Sequence, residues 1–592
     1  MTSDGRASRA RWSVTTRLAA VHPASWLVLL LPAFAWAALT YPGYFELHSG
    51  FLPVFNLNDF ARHLSDLAWA PAVGQSYDLL RGERALPYLL ALPPKLLGAS
   101  ATTAIKWVLG ISIWMGALGM YGWARRRMGE WPGLVAALVY AFWPLGLTTI
   151  YLRGAFAEAV LLGLAPWVAW AADSTLDRGR WTPAAGLALG IAATLWTQTG
   201  LALWLALLIL VFILVRPAEP TAERGSPDSD TGSSIVEGRG LRVNPRSSSD
   251  TLWFTAARGV ALGGWLGGFV LGWLGLLPLI LQRGAGGASL PVFADHLVYL
   301  HELLLARAGG SSALSSSNGD LTAGLGLVAC GLAAIGLALP RPASPGDGTS
   351  PPGWTREPAG RLDPVSLYAI GIVIVLVCLG TVLATPFWKL LPFLSRTLTY
   401  PWQLILLAGP WLAWLAGVGG RRLLGGLPER HRDLIAVSLT ACLCTLALLD
   451  GYSYLTPDTI SLPVPDAPLA IFGDNEIALL SARIAGDPGP GREVAAVTSW
   501  QALRPLDRDY TVFFHVEDTQ GYLIGQQDTM PRGNQLPTSQ WRPGQVVSDR
   551  YELQLSAGAQ ASGGYRYLLG LYYWQTGRRL LAGGDDKVVL TQ

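Results

Sequence analysis

The sequence predicts a polytopic α-helical membrane protein, with about eleven spans and a C-terminal antiparallel β-sandwich domain. Two observations point to the spans. Charged residues make up only 14% of the 592-residue chain, against roughly 25% in soluble domains. Apolar runs of about 16 to 24 residues also recur over the first 450 positions, close to the length that crosses a hydrocarbon core. A third observation points to the sandwich: from about residue 470, short alternating segments separated by Gly, Pro, Asp and Asn replace the long runs. The 25 tryptophans suit two membrane–water interfaces, and a net charge of +3 gives no reason to expect a nucleic-acid partner.

The spans are read at 26–41, 105–124, 131–150, 155–173, 183–199, 200–216, 259–282, 322–339, 366–386, 403–419 and 433–450. Gln198, Thr199 and Gly200 divide 183–216 into a hairpin of two spans. Basic residues favour the cytoplasmic side. Arg6 to Arg17, Arg125 to Arg127, Arg178 and Arg180, Arg216 to Arg258, Arg341 to Arg361 and Arg421 to Arg432 all fall on one side of this arrangement. The expected organisation is a cytoplasmic tail (1–25), a membrane domain (26–450), a linker (451–469) and an extracytoplasmic β-sandwich (470–592). The protein would sit in the plasma (inner) membrane, its first span an anchor rather than a cleaved signal. Segments 217–252 and 340–363, rich in Pro, Gly and Ser, are read as disordered cytoplasmic linkers. Loops 42–104, 283–321 and 387–402 fall outside. Cys330, Cys378, Cys442 and Cys444 all lie in apolar runs, which suits packing rather than a disulfide framework.

The residues with chemical potential gather in the outer loops. Continued as a helix, the segment from Phe55 to Asp66 places Asp59, His63 and Asp66 on one face with Arg62 beside them. Such a helix would lie along the membrane surface, where a lipid headgroup meets a water-soluble acceptor. A simple solvated polar face is the alternative. Arg153 stands at the mouth of a span, with Glu158 about one turn inside it. An ionisable group at that depth faces a cavity or a partner. Five residues is a poor spacing for a pair on one helix face, so separate partners are expected, and Arg153 has snorkelling to the interface as its alternative. Lys389 and Arg396 are outer-side cations suited to an anion such as phosphate. Tyr400 and Trp402 fit either that site or an aromatic belt. Asp295, His296, His301 and Glu302 lack a metal-ligand spacing. No P-loop, nucleophile elbow or dinucleotide fingerprint occurs.

In the last 120 or so residues, 493–503, 509–518, 521–528, 548–555 and 565–574 read as strands of an immunoglobulin-like or jelly-roll sandwich. His515 and the neighbouring aromatic residues suit either sugar stacking or a strand face.

The first-loop Asp59 and His63, the stretch Tyr151-Leu152-Arg153-Gly154-Ala155 with Glu158, and Tyr400-Pro401-Trp402 resemble the membrane proteins labelled 6-pyruvoyl-tetrahydropterin-synthase-related. These belong with the GT-C-type membrane glycosyltransferases. The C-terminal part resembles the β-domain appended to some bacterial dolichyl-phosphate-mannose-type enzymes, through the segments 498–521 and 537–553. Two positions depart from the pattern: Gln198-Thr199 replaces a His-Asn pair, and Gln403 replaces an Arg. The resemblance implies a GT-C-like fold and transfer of a sugar from a polyprenyl-phosphate donor in the membrane to a glycan, lipid or protein acceptor. Asp59 and His63 would be catalytic, and Asp66, Arg153, Glu158, Lys389, Arg396 and Trp402 would bind substrate. A divalent cation, Mg or Mn, would be held by Asp59 and Glu158. The alternative is a non-catalytic membrane protein: a lipid-linked-glycan transporter, an envelope-assembly scaffold or a transferase reduced to binding.

Overall fold

The computed structural model describes residues 22–40, 44–45, 52–66, 69, 82–216, 248–282, 297–304, 324–339, 363–425, 432–452, 455, 459–460, 467–504, 506–541, 546–557 and 564–590. The apolar runs form helices. In chain order these are α1 (Pro23–Leu30), α2 (Ala33–Ala37), α3 (Leu52–Arg62), α4 (Ala85–Leu96), α5 (Ala101–Met128), α6 (Glu130–Ala141), α7 (Pro144–Leu147), α8 (Phe156–Arg178), α9 (Trp181–Leu195) and α10 (Thr199–Val215). They continue with α11 (Ser248–Gln282), α12 (Leu300–Leu304), α13 (Leu327–Ala338), α14 (Pro364–Gly380), α15 (Thr385–Leu390), α16 (Pro392–Ser395), α17 (Gln403–Leu406), α18 (Gly409–Gly425) and α19 (Arg432–Tyr452).

Among the described residues, four helices are long and apolar enough to cross a membrane: α5, α8, Ala256–Leu281 of α11 and Leu434–Tyr452 of α19. A fifth candidate is the pair α6–α7, bent by 44°, where Pro144 cannot continue the hydrogen-bond ladder of α6. Shorter apolar helices include α9, α10, α13 and α14. The hairpin read at 198–200 is present, with its break at Trp196–Gln198. The linker read over 217–252 is corrected at its end, because α11 already begins at Ser248. Its remainder, and 340–362, lie outside the described residues, as do Asp295 and His296.

Close approach between helices depends on small residues. Gly116, Gly119 and Gly122 of α5 receive the rings of Tyr140, Trp167 and Trp170, and an added Cβ would fall 2.7, 2.6 and 2.6 Å from them. Helix ends are closed by side chains. Ser100 accepts the Thr103 N–H at 3.1 Å, Asp363 that of Ser366 at 2.8 Å, and Asp450 of α19 reaches across to Val328 of α13 at 3.2 Å.

The C-terminal part consists of antiparallel strands, as expected. Short β1 (Tyr44–Phe45) pairs with β2 (Thr459–Ile460), so the stretch read as a linker is tied to the first loop. One sheet orders β3 (Ala470–Phe472), β4 (Ile477–Ala485), β5 (Glu493–Ala502) and β8 (Val546–Gln554) side by side. The other comprises β6 (Tyr510–Glu517), β7 (Leu523–Thr529), β9 (Arg566–Tyr573), β10 (Arg578–Arg579) and β11 (Val588–Leu590), in the order β10-β9-β6-β7 with β11 also on β9. Inward residues of both sheets, among them Leu479, Trp500, Phe514, Tyr551 and Leu569, share one apolar core. Because side chains alternate along a strand, Ala478 and Leu480 face away from that core. With Leu503 they join the apolar cluster of α3–α8 instead, so the first sheet packs its back against the helices.

Candidate functional site

Several segments remote in sequence are joined at one end of the helices. The Arg84 N–H donates to the Thr197 carbonyl at 2.8 Å and the Leu86 N–H to the Trp196 carbonyl at 3.1 Å. Val298 bridges Thr381, and Gln403 reaches Glu158.

The last of these contacts centres the site. After a π-helical turn over Thr148–Leu152, Gly154 takes the left-handed conformation (φ 59°) that costs glycine least. The chain thereby folds back, and Arg153, which precedes α8, meets Glu158 in its first turn. Their guanidinium and carboxylate form a two-pronged pair: Nη1 donates to Oε2, and Nη2 to Oε1 at 3.2 Å. The expectation of separate partners is therefore corrected. The five-residue spacing is poor only within a helix, and here the helix starts between the two. Both side chains are buried, Arg153 to 8% and Glu158 to 4% exposure, which rules out the snorkelling reading.

Gln403 completes the arrangement. Its Nε2 donates to Glu158 Oε1 at 2.5 Å, while its Oε1 accepts the N–H groups of Thr399 and Tyr400, both at 3.0 Å. It thus latches the Tyr400-Pro401-Trp402 turn onto α8. The Arg153 guanidinium lies 4.2 Å from the Trp402 ring centroid, a cation–π contact, and Tyr400 stacks on Trp402 at 5.4 Å. Trp402 is 1% exposed and so no part of a surface belt. Among the described residues its buried indole N–H has no acceptor and the buried Thr148 hydroxyl no partner.

The first-loop residues only partly match expectation. Helix α3 stops at Arg62, so Asp66 does not share a helical face with Asp59 and lies exposed beyond the turn. Nor is α3 a surface helix, since Leu52 to Asn58 and Phe60 are buried. Asp59 and His63 do meet, Nδ1 lying 3.2 Å from Oδ1. The Trp69 indole N–H donates to Asp59 Oδ2 at 2.8 Å. From Trp69 a ladder of rings runs to Tyr88 at 5.2 Å and on to Phe156 at 5.4 Å, two residues before Glu158. Lys389 and Arg396 are exposed.

Sequence reasoning missed Glu83, Arg84 and Tyr88. The Tyr88 hydroxyl donates to Glu83 Oε2 at 2.5 Å. Burial and the adjacent Glu83 carboxylate push it well above the usual phenol range, so it remains a donor. Arg84 Nε donates to Thr199 Oγ1 at 3.1 Å. The charged run Arg81-Gly82-Glu83-Arg84 just ahead of the apolar α4 was the available signal.

A bundle of apolar helices with a buried ionic site at one end defines a polytopic membrane protein. Comparison with known proteins agrees: residues 84–219 match the family model described as 6-pyruvoyl-tetrahydropterin synthase related domain, membrane protein. That segment contains Arg84, Tyr88, Arg153, Glu158 and Gln198. Solved structures of GT-C-type glycosyltransferases resemble the chain at low identity. The arabinofuranosyltransferase AftD from Mycobacteria is 17% identical, with 74% of this chain and 27% of that chain covered at a TM-score of 0.38. ArnT from Cupriavidus metallidurans, bound to undecaprenyl phosphate, is 13% identical over 74% of this chain and 77% of that one, at 0.40. The arabinosyltransferase EmbB from Mycobacterium smegmatis is 12% identical over 96% and 66%, at 0.36. The chain thus spans about a quarter of AftD's length. No curated protein matches it in sequence.

Proposed function

We propose that the chain is a membrane glycosyltransferase that moves a sugar from a polyprenyl-phosphate donor to an acceptor outside the cytoplasm. The observation that carries this reading is the buried Arg153, clamped by Glu158 onto a Trp402 ring whose N–H has no acceptor. Glu158 takes two of the five guanidinium N–H groups. The remaining donors and the Trp402 N–H suit a phosphate oxygen in a dry site. In the reaction, an acceptor hydroxyl oxygen attacks the anomeric carbon and the bond from that carbon to the phosphate oxygen breaks. Polyprenyl phosphate leaves with the bonding pair, and the hydroxyl proton passes to Asp59, which His63 and Trp69 orient. Lys389 and Arg396 attract the lipid headgroup to the site mouth, and Asp66 contacts the acceptor there.

Both Glu158 oxygens are engaged by Arg153 and Gln403. The Glu158 charge is already neutralised by the buried Arg153 guanidinium, so a cation there would have to displace that ion pair, and no step is routed through a metal. The architecture that accompanies this reading is about eleven spans over 26–450, the N-terminus cytoplasmic and the 470–592 β-sandwich outside.

The test is incubation of the purified protein in lipid nanodiscs with radiolabelled polyprenyl-phosphate sugars and a membrane extract. Transfer that falls by about 100-fold or more in Asp59→Asn supports the reading. Lipid binding with no transfer by the wild type, under the same conditions, would instead support a carrier or scaffold.

A further inference from the structure

Gln198 immediately precedes α10 and pairs antiparallel with Glu83. Residues directly opposed in an antiparallel pair project their side chains from the same face, with Cβ atoms about 5 Å apart. The Glu83 and Gln198 side chains therefore leave the bridge on the same side. Tyr88 holds the carboxylate from one side. Gln198 is 6% exposed, and among the described residues its buried Oε1 has no hydrogen-bond donor. A buried acceptor left this way is costly, and a ligand that supplies a donor removes the cost. The Gln198 oxygen, beside a carboxylate that Tyr88 already engages, calls for a ligand with a hydroxyl donor, which is the chemistry of a sugar ring.

The position of the pair fits such a ligand. Tyr88 is the middle ring of the ladder, in contact on one side with Trp69, which holds Asp59, and on the other with Phe156, at the start of the helix that carries Glu158. A sugar held there would lie beside the ladder that links the Asp59 segment to the first turn of α8. We infer that Glu83 and Gln198 form a sugar-hydroxyl subsite, with Gln198 Oε1 accepting a hydroxyl of the sugar carried by the lipid phosphate. This inference rests on the function proposed above.

The experiment compares the binding of bare undecaprenyl phosphate with that of the same lipid carrying glucose, mannose or arabinose, using the full chain in nanodiscs. The wild type is expected to prefer at least one glycosylated lipid over the bare one. Gln198→Met should remove that preference, a loss of roughly three- to tenfold for one hydrogen bond, while leaving bare-lipid affinity unchanged and, because a costly buried acceptor is removed, without lowering the melting temperature. Gln198→Asn, which withdraws the oxygen by one methylene but stays polar, should lose the preference too and serves if the Met variant does not fold. Retained preference in a folded variant overturns the subsite while leaving the donor reading intact, and so does a wild type that binds only the bare lipid. A wild type that binds none of these lipids overturns both.

Discussion

The two ends of α8 carry buried charge in contrasting ways. At its C-terminal end, Asp173 and Asp177 lie fifteen or more residues from Glu158, about 22 Å or more along the helix. Asp173, fully buried, accepts from Arg127 at 3.0 Å and Arg216 at 2.9 Å. Asp177 accepts from Arg126 at 2.6 Å, Arg127 at 2.7 Å and Arg216 at 2.5 Å. Three guanidiniums and two carboxylates thus staple α5 and α8 to Arg216, the residue that ends α10. At the N-terminal end a single ion pair has beside it the buried Trp402 Nε1 and Thr148 Oγ1, which meet no partner among the described residues, a condition Gln198 Oε1 shares next to Glu83. At the other end the Nε atoms of Arg216 and its neighbour Arg258 do so, on guanidiniums already bonded through their terminal nitrogens. Buried charge alone does not mark a functional site, because such networks are also structural. Partnerless atoms on residues outside the ion pair itself, such as Trp402 Nε1 and Thr148 Oγ1, are the sharper signal, since each costs stability unless something outside the protein meets it.

The largest effect expected from this contrast is at the stapled end. Asp173→Leu leaves Arg127 and Arg216 short of a counter-charge and should cost about 3–5 kcal/mol, read by thermal or denaturant unfolding in detergent. A mild loss there would mean the network is dispensable and would blur the distinction. Next comes Gln403→Met, which strips a donor from Glu158 and the acceptor from two backbone N–H groups. It should cost about 1–3 kcal/mol and also weaken binding of undecaprenyl phosphate, because the Trp402 turn is released. Stability loss without any change in binding would separate the latch from the site. A smaller effect is expected at Asp66. Exposed beyond the α3 turn, Asp66→Asn should shift stability by less than about 0.5 kcal/mol and transfer far less than Asp59→Asn does. Equal loss in the two variants would contradict the placement of the base.

Much of this was legible in the sequence, and the gaps have physical causes. Helices at the long apolar runs and strands at 493–502, 510–517, 523–529, 546–554 and 566–573 follow from local pattern. Strand β4 was missed because Ile-Ala-Leu-Leu-Ser-Ala-Arg-Ile-Ala reads as well for a helix, and only its pairing with β3 and β5 decides. The end of α3 at Arg62 carries no glycine or proline to announce it. Asp59, His63, Arg153, Glu158 and Trp402 stood out as polar or aromatic groups in telling places. Their partners did not: Glu158 meets Gln403 across 245 positions and Arg84 meets Thr199 across 115. Gln403 and Gln198 were visible as departures from a family pattern, but their roles come from packing that no local window contains.

The most direct test of the central claim, that unsatisfied polar atoms at the Arg153 end await a phosphate-bearing lipid, is Trp402→Phe. This change deletes the indole N–H, keeps an aromatic face for Arg153 and breaks no hydrogen bond within the protein. The measurement is undecaprenyl phosphate affinity beside melting temperature in the same nanodiscs. The account predicts affinity weaker by roughly tenfold in a variant that still folds, with the moderate fall in melting temperature that a smaller ring in a buried site brings. Unchanged affinity in a folded variant would contradict it.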